Sequence, residues 1–196
     1  EKASEIYAAH KDNVATIPAD IRPIVLNNEI KTSNSAELVA SYMDTYVKTS
    51  LQELKRELAA AVANVRDEAA IKGLLEDFKN ADIVKPQDIA FSWFYLLAKD
   101  FAQDAAWTWE QENWDWIAEK LGGDMSYDKF VIYPGNVFKT AEKFEEYKAF
   151  FEPKLSNPGL KRSIEMAIKQ IDARVSLINN QKSAVEAAIV DVEKEL

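Results

Sequence analysis

The chain has 196 residues, a formal net charge of −9 at pH 7 and a sequence pI near 4.8. It contains one histidine and no cysteine, which excludes disulfide bonds and a thiol nucleophile. The acidic balance argues against a nucleic-acid partner, because neutralising phosphates requires clustered Lys and Arg. No apolar run approaches the length of a membrane span, so a membrane partner is not expected either.

The expected location is the cytoplasm. The absence of cysteine favours a reducing compartment, and the first residues, EKASEIY, lack the apolar segment of a signal peptide. A chain of this length forms one large domain or two small fused ones. It buries about 70% of its unfolded surface, so it needs no metal or disulfide for stability.

The first half of the chain predicts short helices, because apolar residues recur at spacings of three and four. Residues 3–16 predict a first helix, and the turn at residues 17–20 precedes a second. Ser35 follows a polar break and is placed to cap a third helix. A fourth helix begins after Ser50, and residues 66–68 turn the chain into a fifth.

Residues 85–123 contain all five tryptophans and much of the negative charge. Between residues 86 and 128, nine Asp and Glu stand against two lysines. Pro86 suits the first turn of a helix. The apolar spacing then predicts a pair of helices over residues 86–101 and 102–121, which bury Trp93, Trp109 and Phe101. Such an aromatic stripe is more typical of a core than of a cofactor site.

The remaining segments also predict helices. Residues 124–137 indicate a short helix and a turn, with Pro134 and Gly135 ending the apolar run. Thr140 is placed to cap the next helix, and Pro158 begins a long one. Asn179 and Asn180 are expected to break that helix. A final helix is then predicted to bury one apolar face: Val185, Ala188, Ile189, Val192 and Leu196.

These patterns predict an all-α fold of about ten or eleven helices. Short connections imply antiparallel neighbours. No fixed sequence period is visible, so any repeat is structural rather than a consensus array. We expect a HEAT-like stack of antiparallel helical hairpins that forms a curved superhelix.

The chain offers little catalytic chemistry. His10 is the only histidine and is expected at the surface, and zinc would have to be held with carboxylates, an uncommon set for a structural site. Carboxylate pairs such as Glu110 and Glu112 are conceivable acid–base dyads. Nothing positions a nucleophile beside them, and acidic pairs are common on exposed helices. We therefore predict no catalytic residue and no metal ligand in this chain.

Five stretches carry a more specific signal. They are IPADIRP (17–23), VKPQDI (84–89), AWTWEQENWD (106–115), FKTAEKFEEYKAFF (138–151) and PGLKRSIEMAIKQIDAR (158–174). In this order they resemble the C-terminal helical domain of aminopeptidase N-type zinc aminopeptidases. The family's catalytic motifs, H-E-x-x-H and Gly-x-Met-Glu-Asn, are absent from the chain.

The resemblance implies that residues 1–196 are the C-terminal domain of a larger zinc aminopeptidase. It places the zinc and the chemistry in a catalytic domain outside this chain, so the chain alone is expected to be inactive and to hold no cofactor. The expected partners are that catalytic domain and peptide substrates. The expected role is to cover the active-site chamber and help control peptide access while N-terminal amino acids are removed.

Two arginines are the candidate substrate-binding residues. Arg162 and Arg174 lie in the last matched stretch, and an arginine can bind a peptide's C-terminal carboxylate bidentately. A salt bridge or a solvated charge explains each of them as well. The alternative function is that of a stand-alone helical-repeat scaffold that binds a peptide or protein on its concave face.

Overall fold

The computed structural model describes residues 1–195 and the side chains of residues 1–192. This part of the chain contains eleven α-helices and two short 3₁₀ helices, with no strand, so the all-α prediction is confirmed. No helix among the described residues is long and apolar enough to cross a membrane. The chain divides into two compact units, Glu1–Asp124 and Met125–Leu196. The HEAT-like superhelix stays a prediction.

The N-terminal unit, Glu1–Asp124, contains the first eight helices. They are α1 (Lys2–His10), α2 (Arg22–Ser33), α3 (Ala36–Lys48), α4 (Gln52–Val62), α5 (Glu68–Asp77), α6 (Pro86–Leu97), α7 (Gln103–Glu112) and α8 (Trp114–Leu121). The predicted first helix over residues 3–16 is too long. It ends at His10, and a separate 3₁₀ turn at Val14–Thr16 follows, capped by the Asn13 side chain.

Several helix ends lie where local sequence places them. The Ser35 hydroxyl accepts a hydrogen bond from the Leu38 N–H at 3.1 Å, and the Thr140 hydroxyl accepts one from the Lys143 N–H at 3.2 Å. Pro86 and Pro158 begin α6 and α11. Each cap satisfies a backbone donor that has no partner inside the helix.

The tryptophan-rich stretch forms much of the core of this unit, as predicted. Trp93 is fully buried, and its indole Nε1 donates a hydrogen bond to the Ala106 carbonyl oxygen at 2.9 Å. This bond links α6 to α7. Trp109 is 4% exposed and packs edge-to-face on Phe78, with ring centroids 5.4 Å apart. The predicted burial of both tryptophans is confirmed.

The predicted helix pair is instead three helices. The run over residues 102–121 breaks at Asn113, between α7 and α8. The Asn113 side chain donates to the Trp109 carbonyl oxygen at 2.7 Å, and such local bonds compete with regular helix geometry. The prediction for Phe101 is also wrong. Because α6 already ends at Leu97, Phe101 lies in a turn and is 41% exposed.

The C-terminal unit contains α9 (Lys129–Val137), α10 (Ala141–Phe151) and α11 (Pro158–Glu195). Pro134 and Gly135 do not end a helix, as the sequence suggested, but lie inside α9 and are buried. Helix α9 packs against α11, and Tyr147 of α10 donates to the Val131 carbonyl oxygen at 3.0 Å. This packing outweighs the low helix propensity of the two residues.

Helix α11 is continuous through Asn179 and Asn180, so the predicted break is wrong. Asparagine lowers helix propensity by less than about 1 kcal/mol relative to alanine and does not by itself end a helix. The predicted burial of the last apolar face is also wrong, because Val185, Ile189 and Val192 are 53%, 53% and 57% exposed and Ala188 is exposed too. Leu196 lies outside the described residues.

Gly135 marks a close approach of α9 and α11. A Cβ atom added at this position would lie 2.7 Å from the Ala167 Cβ and 3.1 Å from its Cα. We expect Gly135→Ala to lower the free energy of unfolding by about 1–3 kcal/mol, because the overpacked helices must move apart. Urea denaturation of both proteins measures this change.

Gly73→Ala is the matched control. Gly73 also lies within a helix, α5, but a Cβ there would meet nothing within 4 Å. This variant is expected to stabilise the protein by about 0.5–1 kcal/mol through reduced backbone entropy. A stabilising effect of Gly135→Ala would contradict the close crossing.

Candidate functional site

The titratable side chains of residues 1–192 do not form a catalytic constellation. The His10 ring nitrogen Nδ1 lies 2.7 Å from the Thr16 hydroxyl, in the turn after α1. Glu110 is fully buried whereas Glu112 is exposed, so the two carboxylates do not share one site. Within residues 1–192, no three His, Asp or Glu side chains lie close enough together to hold a metal ion.

Arg162 is available to a ligand. It is exposed in the second turn of α11 and makes no ion pair or hydrogen bond with any described residue. Its neighbour Lys161 lies 4.0 Å from Glu165. Arg162 therefore presents a free guanidinium, which can bind a carboxylate through two parallel hydrogen bonds.

Part of the Arg174 guanidinium already binds backbone carbonyl oxygens of this chain. Its Nη1 donates to the carbonyl oxygens of Gly135 and Phe138, at 2.9 and 2.7 Å. These oxygens lie at the C-terminal end of α9, where carbonyls lack partners inside the helix. Twelve residues separate Arg162 from Arg174, about 18 Å along the helix axis, with the side chains about a third of a turn apart. The two arginines therefore cannot bind the same carboxylate.

A buried ion pair was missed by sequence reasoning. Arg22 and Glu57 are 5% and 9% exposed, and the Arg22 Nε donates to a carboxylate oxygen of Glu57. Arg22 also donates to the carbonyl oxygens of Ala15 and Ile17, at 3.2 and 3.4 Å. The pair joins the start of α2 to α4. Its only sequence signal is that Arg22 lies inside the first matched stretch.

A second polar cluster joins α2 to the residues that follow α4 and α6. The Lys99 ammonium donates to the Asn64 side-chain oxygen at 2.9 Å, and the Asn64 amide nitrogen donates to the Asn27 side chain. Burial lowers the pKa of Lys99, and the nearby charge of Lys31 lowers it further. The Asn64 amide also donates to the Ala60 carbonyl oxygen at 2.9 Å, so the cluster stabilises the end of α4.

The last part of α11 carries an exposed apolar stripe. Ile178, Val185, Ile189 and Val192 follow one another at intervals of seven, four and three residues, so they share one face of the helix. Their exposed fractions run from 39% to 57%. Exposed apolar residues gathered on one helix face are typical of a protein–protein interface.

The comparison with known proteins identifies the family. A family model described as the ERAP1-like C-terminal domain matches residues 1–173. The chain belongs to this family. The predicted resemblance to the C-terminal helical domain of aminopeptidase N-type proteins is thereby confirmed.

Named relatives of this ERAP1-like C-terminal domain are much longer proteins. Aminopeptidase N of Lactococcus lactis subsp. cremoris (strain MG1363) is 74% identical over 195 residues, which cover 100% of this chain and 23% of that protein. Aminopeptidase N of Lactobacillus helveticus is 44% identical over 187 residues, 95% of the chain and 22% of the relative. Glutamyl aminopeptidase of Mus musculus is 23% identical over 184 residues, 93% of the chain and 19% of the relative. The chain thus spans less than a quarter of the length of these relatives.

The stretches that revealed the family carry packing residues of the ERAP1-like C-terminal domain. Arg22 is in the buried ion pair, Pro86 begins a helix, and Trp107 and Trp109 are core residues. Tyr147 and Phe151 are fully buried in the fourth stretch. These motifs therefore identify a fold, whereas Arg162 is a matched residue that the fold leaves free.

Proposed function

We propose that residues 1–196 form the non-catalytic C-terminal domain of a larger zinc aminopeptidase. The observation that carries the proposal is the match over the whole chain to proteins named aminopeptidase N, of which the chain covers less than a quarter. The sequence contains no H-E-x-x-H pair to place two imidazoles on one helical face. The zinc and the general base then belong to a catalytic domain outside this chain.

In this proposal the domain covers the active-site chamber and helps control which peptides enter while N-terminal amino acids are removed. The cytoplasm is the proposed location. The proposed contact with the rest of the enzyme is the apolar stripe of α11, because burying exposed Val and Ile side chains stabilises an association by about 25 cal/mol per Å². Four such residues lie on one face of α11, where a partner domain can cover them.

Arg162 and Arg174 are the proposed contacts for peptide substrates. Arg162 supports this role better, because its guanidinium makes no hydrogen bond to a described residue. Arg174 can contribute only the nitrogens that do not bind the α9 carbonyls. The proposed ligand group for Arg162 is the peptide's C-terminal carboxylate, which lies far from the scissile bond in a long peptide and is absent from an aminoacyl anilide.

The test compares peptides of increasing length with a short aminoacyl anilide. The 196-residue chain alone is expected to bind no zinc tightly and to release no amino acid from the anilide. In the complete enzyme, Arg162→Ala is expected to raise KM for long peptides about tenfold or more, as the loss of a bidentate charged contact does, and to leave anilide hydrolysis nearly unchanged.

Lys161→Ala is the matched control, because Lys161 is an adjacent exposed cation. This variant is expected to leave KM unchanged both for long peptides and for the anilide. Hydrolysis by the isolated, metal-stripped chain would overturn the accessory-domain proposal. Equal effects of Arg162→Ala on long peptides and on the anilide would overturn only the arginine assignment.

A further inference from the structure

A groove of about 460 Å³ lies between α5 and α7, where the proposed function assigns no role. Its volume falls within the roughly 300–1,000 Å³ typical of ligand sites. The floor is apolar and consists of Ile71 and Leu75 from α5 with Ala105 and Trp109 from α7. Ile71, Leu75 and Trp109 are no more than 4% exposed. Three of the four floor residues therefore belong to the core, and Ala105 is exposed.

The walls of the groove are acidic. On each helix three side chains four residues apart form a line along the wall, because residues at this spacing share a helix face. The lines are Glu68, Lys72 and Glu76 on α5, and Asp104, Thr108 and Glu112 on α7. Four carboxylates thus face the groove with a single ammonium group.

The outermost carboxylates are unpaired. Glu68 and Glu112 are exposed, and neither makes an ion pair or a hydrogen bond with a described residue. Glu76 forms an exposed ion pair with Lys79 at 3.9 Å, which contributes little stability, about 1 kcal/mol or less. Charges of one sign along a cleft with apolar walls concentrate the field and attract oppositely charged ligands.

The aromatic residues of the groove add two further features. Phe101 lies at the edge, and the Arg66 guanidinium already lies 5.0 Å from its ring centroid, a favourable cation–π distance. The Trp109 Nε1 is buried and has no hydrogen-bond partner among the described residues.

We propose that the α5–α7 groove binds a short free peptide in which Lys or Arg side chains flank apolar ones. The apolar side chains would cover the floor, and the cations would reach the carboxylates of the walls. Each wall runs over eight residues of helix, about 12 Å. An extended peptide spans that length with about four residues.

The probe is the peptide acetyl-Lys-Leu-Leu-Lys-amide with a fluorescent label, titrated with the 196-residue chain and followed by anisotropy. We expect saturable binding that weakens as salt is raised. The neutral peptide acetyl-Gln-Leu-Leu-Gln-amide is expected to bind at least tenfold more weakly. The Glu68→Gln/Glu112→Gln variant is expected to lose at least tenfold in affinity for the cationic peptide, with an unchanged far-ultraviolet circular dichroism spectrum.

Glu142→Gln/Glu152→Gln is the matched control. It removes the same charge at exposed positions in the first turn of a helix and just after a helix end, outside the groove. Its affinity for the cationic peptide is expected to be unchanged. Equal binding of the neutral peptide, full affinity of the Glu68/Glu112 variant or an equal loss in the control would overturn the proposal. Self-association of the chain that the Glu68/Glu112 variant abolishes would also overturn it, because the occupant would then be a second copy.

Discussion

Replacing Trp93 with alanine is expected to lower the free energy of unfolding by about 3–5 kcal/mol. The ring is fully buried between α6 and its neighbours, so the substitution leaves a cavity as well as removing apolar contacts. It also removes the indole donor that binds the Ala106 carbonyl oxygen at 2.9 Å across α6 and α7. Urea denaturation followed by far-ultraviolet circular dichroism measures the change.

Phe91→Ala is the control for this prediction. Phe91 lies on the same helix two residues earlier, but its side chain is 45% exposed. Because about half of its apolar surface stays in water in the folded state, the expected loss is about 1 kcal/mol. If the two variants lost equal stability, the core role of Trp93 would be wrong.

Glu57→Ala is expected to destabilise the protein by a similar amount, about 3–5 kcal/mol. The substitution removes the carboxylate from a buried pair and leaves the Arg22 guanidinium without its main partner. The two carbonyl oxygens that Arg22 also contacts do not carry a compensating charge. The uncompensated charge, rather than the lost contact, accounts for most of the expected loss.

Two further variants distinguish the stability effect of the buried pair from that of an ordinary surface charge. Glu53 lies 3.6 Å from Arg22 but its side chain is 70% exposed, so Glu53→Ala is expected to lose at most about 1 kcal/mol. Arg22→Met combined with Glu57→Leu is expected to recover most of the stability, because apolar residues of similar volume replace both charges. If Glu53→Ala destabilised as much as Glu57→Ala, burial would not explain the effect.

Local sequence patterns predicted several helix boundaries correctly. The caps at Ser35 and Thr140 and the starts at Pro86 and Pro158 depend on contacts within a few residues along the chain. Such contacts form in almost any tertiary setting, because the donor and the acceptor are held close by the backbone itself. The burial of Trp93 was equally predictable from its spacing within an apolar helix face.

Boundaries within apolar runs were less predictable. Pro134 and Gly135 are weak helix formers, yet they lie inside α9 because the packing of α9 on α11 stabilises the helix. Asn179 and Asn180 likewise lie inside α11. Relative to alanine, Pro and Gly disfavour a helix interior by about 3 and 1 kcal/mol, which the packing of α9 offsets. Residues 176–192 of α11 are exposed, and Asn179 and Asn180 do not end this helix because each costs less than about 1 kcal/mol.

The sequence predicted which residues belong to the candidate site but not the contacts that each of them makes. The resemblance selected Arg162 and Arg174, but only the structure distinguishes a free guanidinium from one that binds the end of α9. The α5–α7 groove had no sequence signal, because its two walls are 28 residues apart at their nearest, Glu76 and Asp104, and each alone looks like an ordinary solvated helix face.

The sequence by itself determined the all-α class, the caps of individual helices and the aminopeptidase family, since these depend on local spacing and on matched motifs. The tertiary structure alone decided that Arg22 pairs with Glu57 across 35 residues, and that the apolar stripe of α11 lies exposed in this chain. The physical reason is that burial is a property of the neighbours a side chain meets in space. Charge pairing and solvent exposure therefore follow from how helices pack, which helical periodicity alone does not specify.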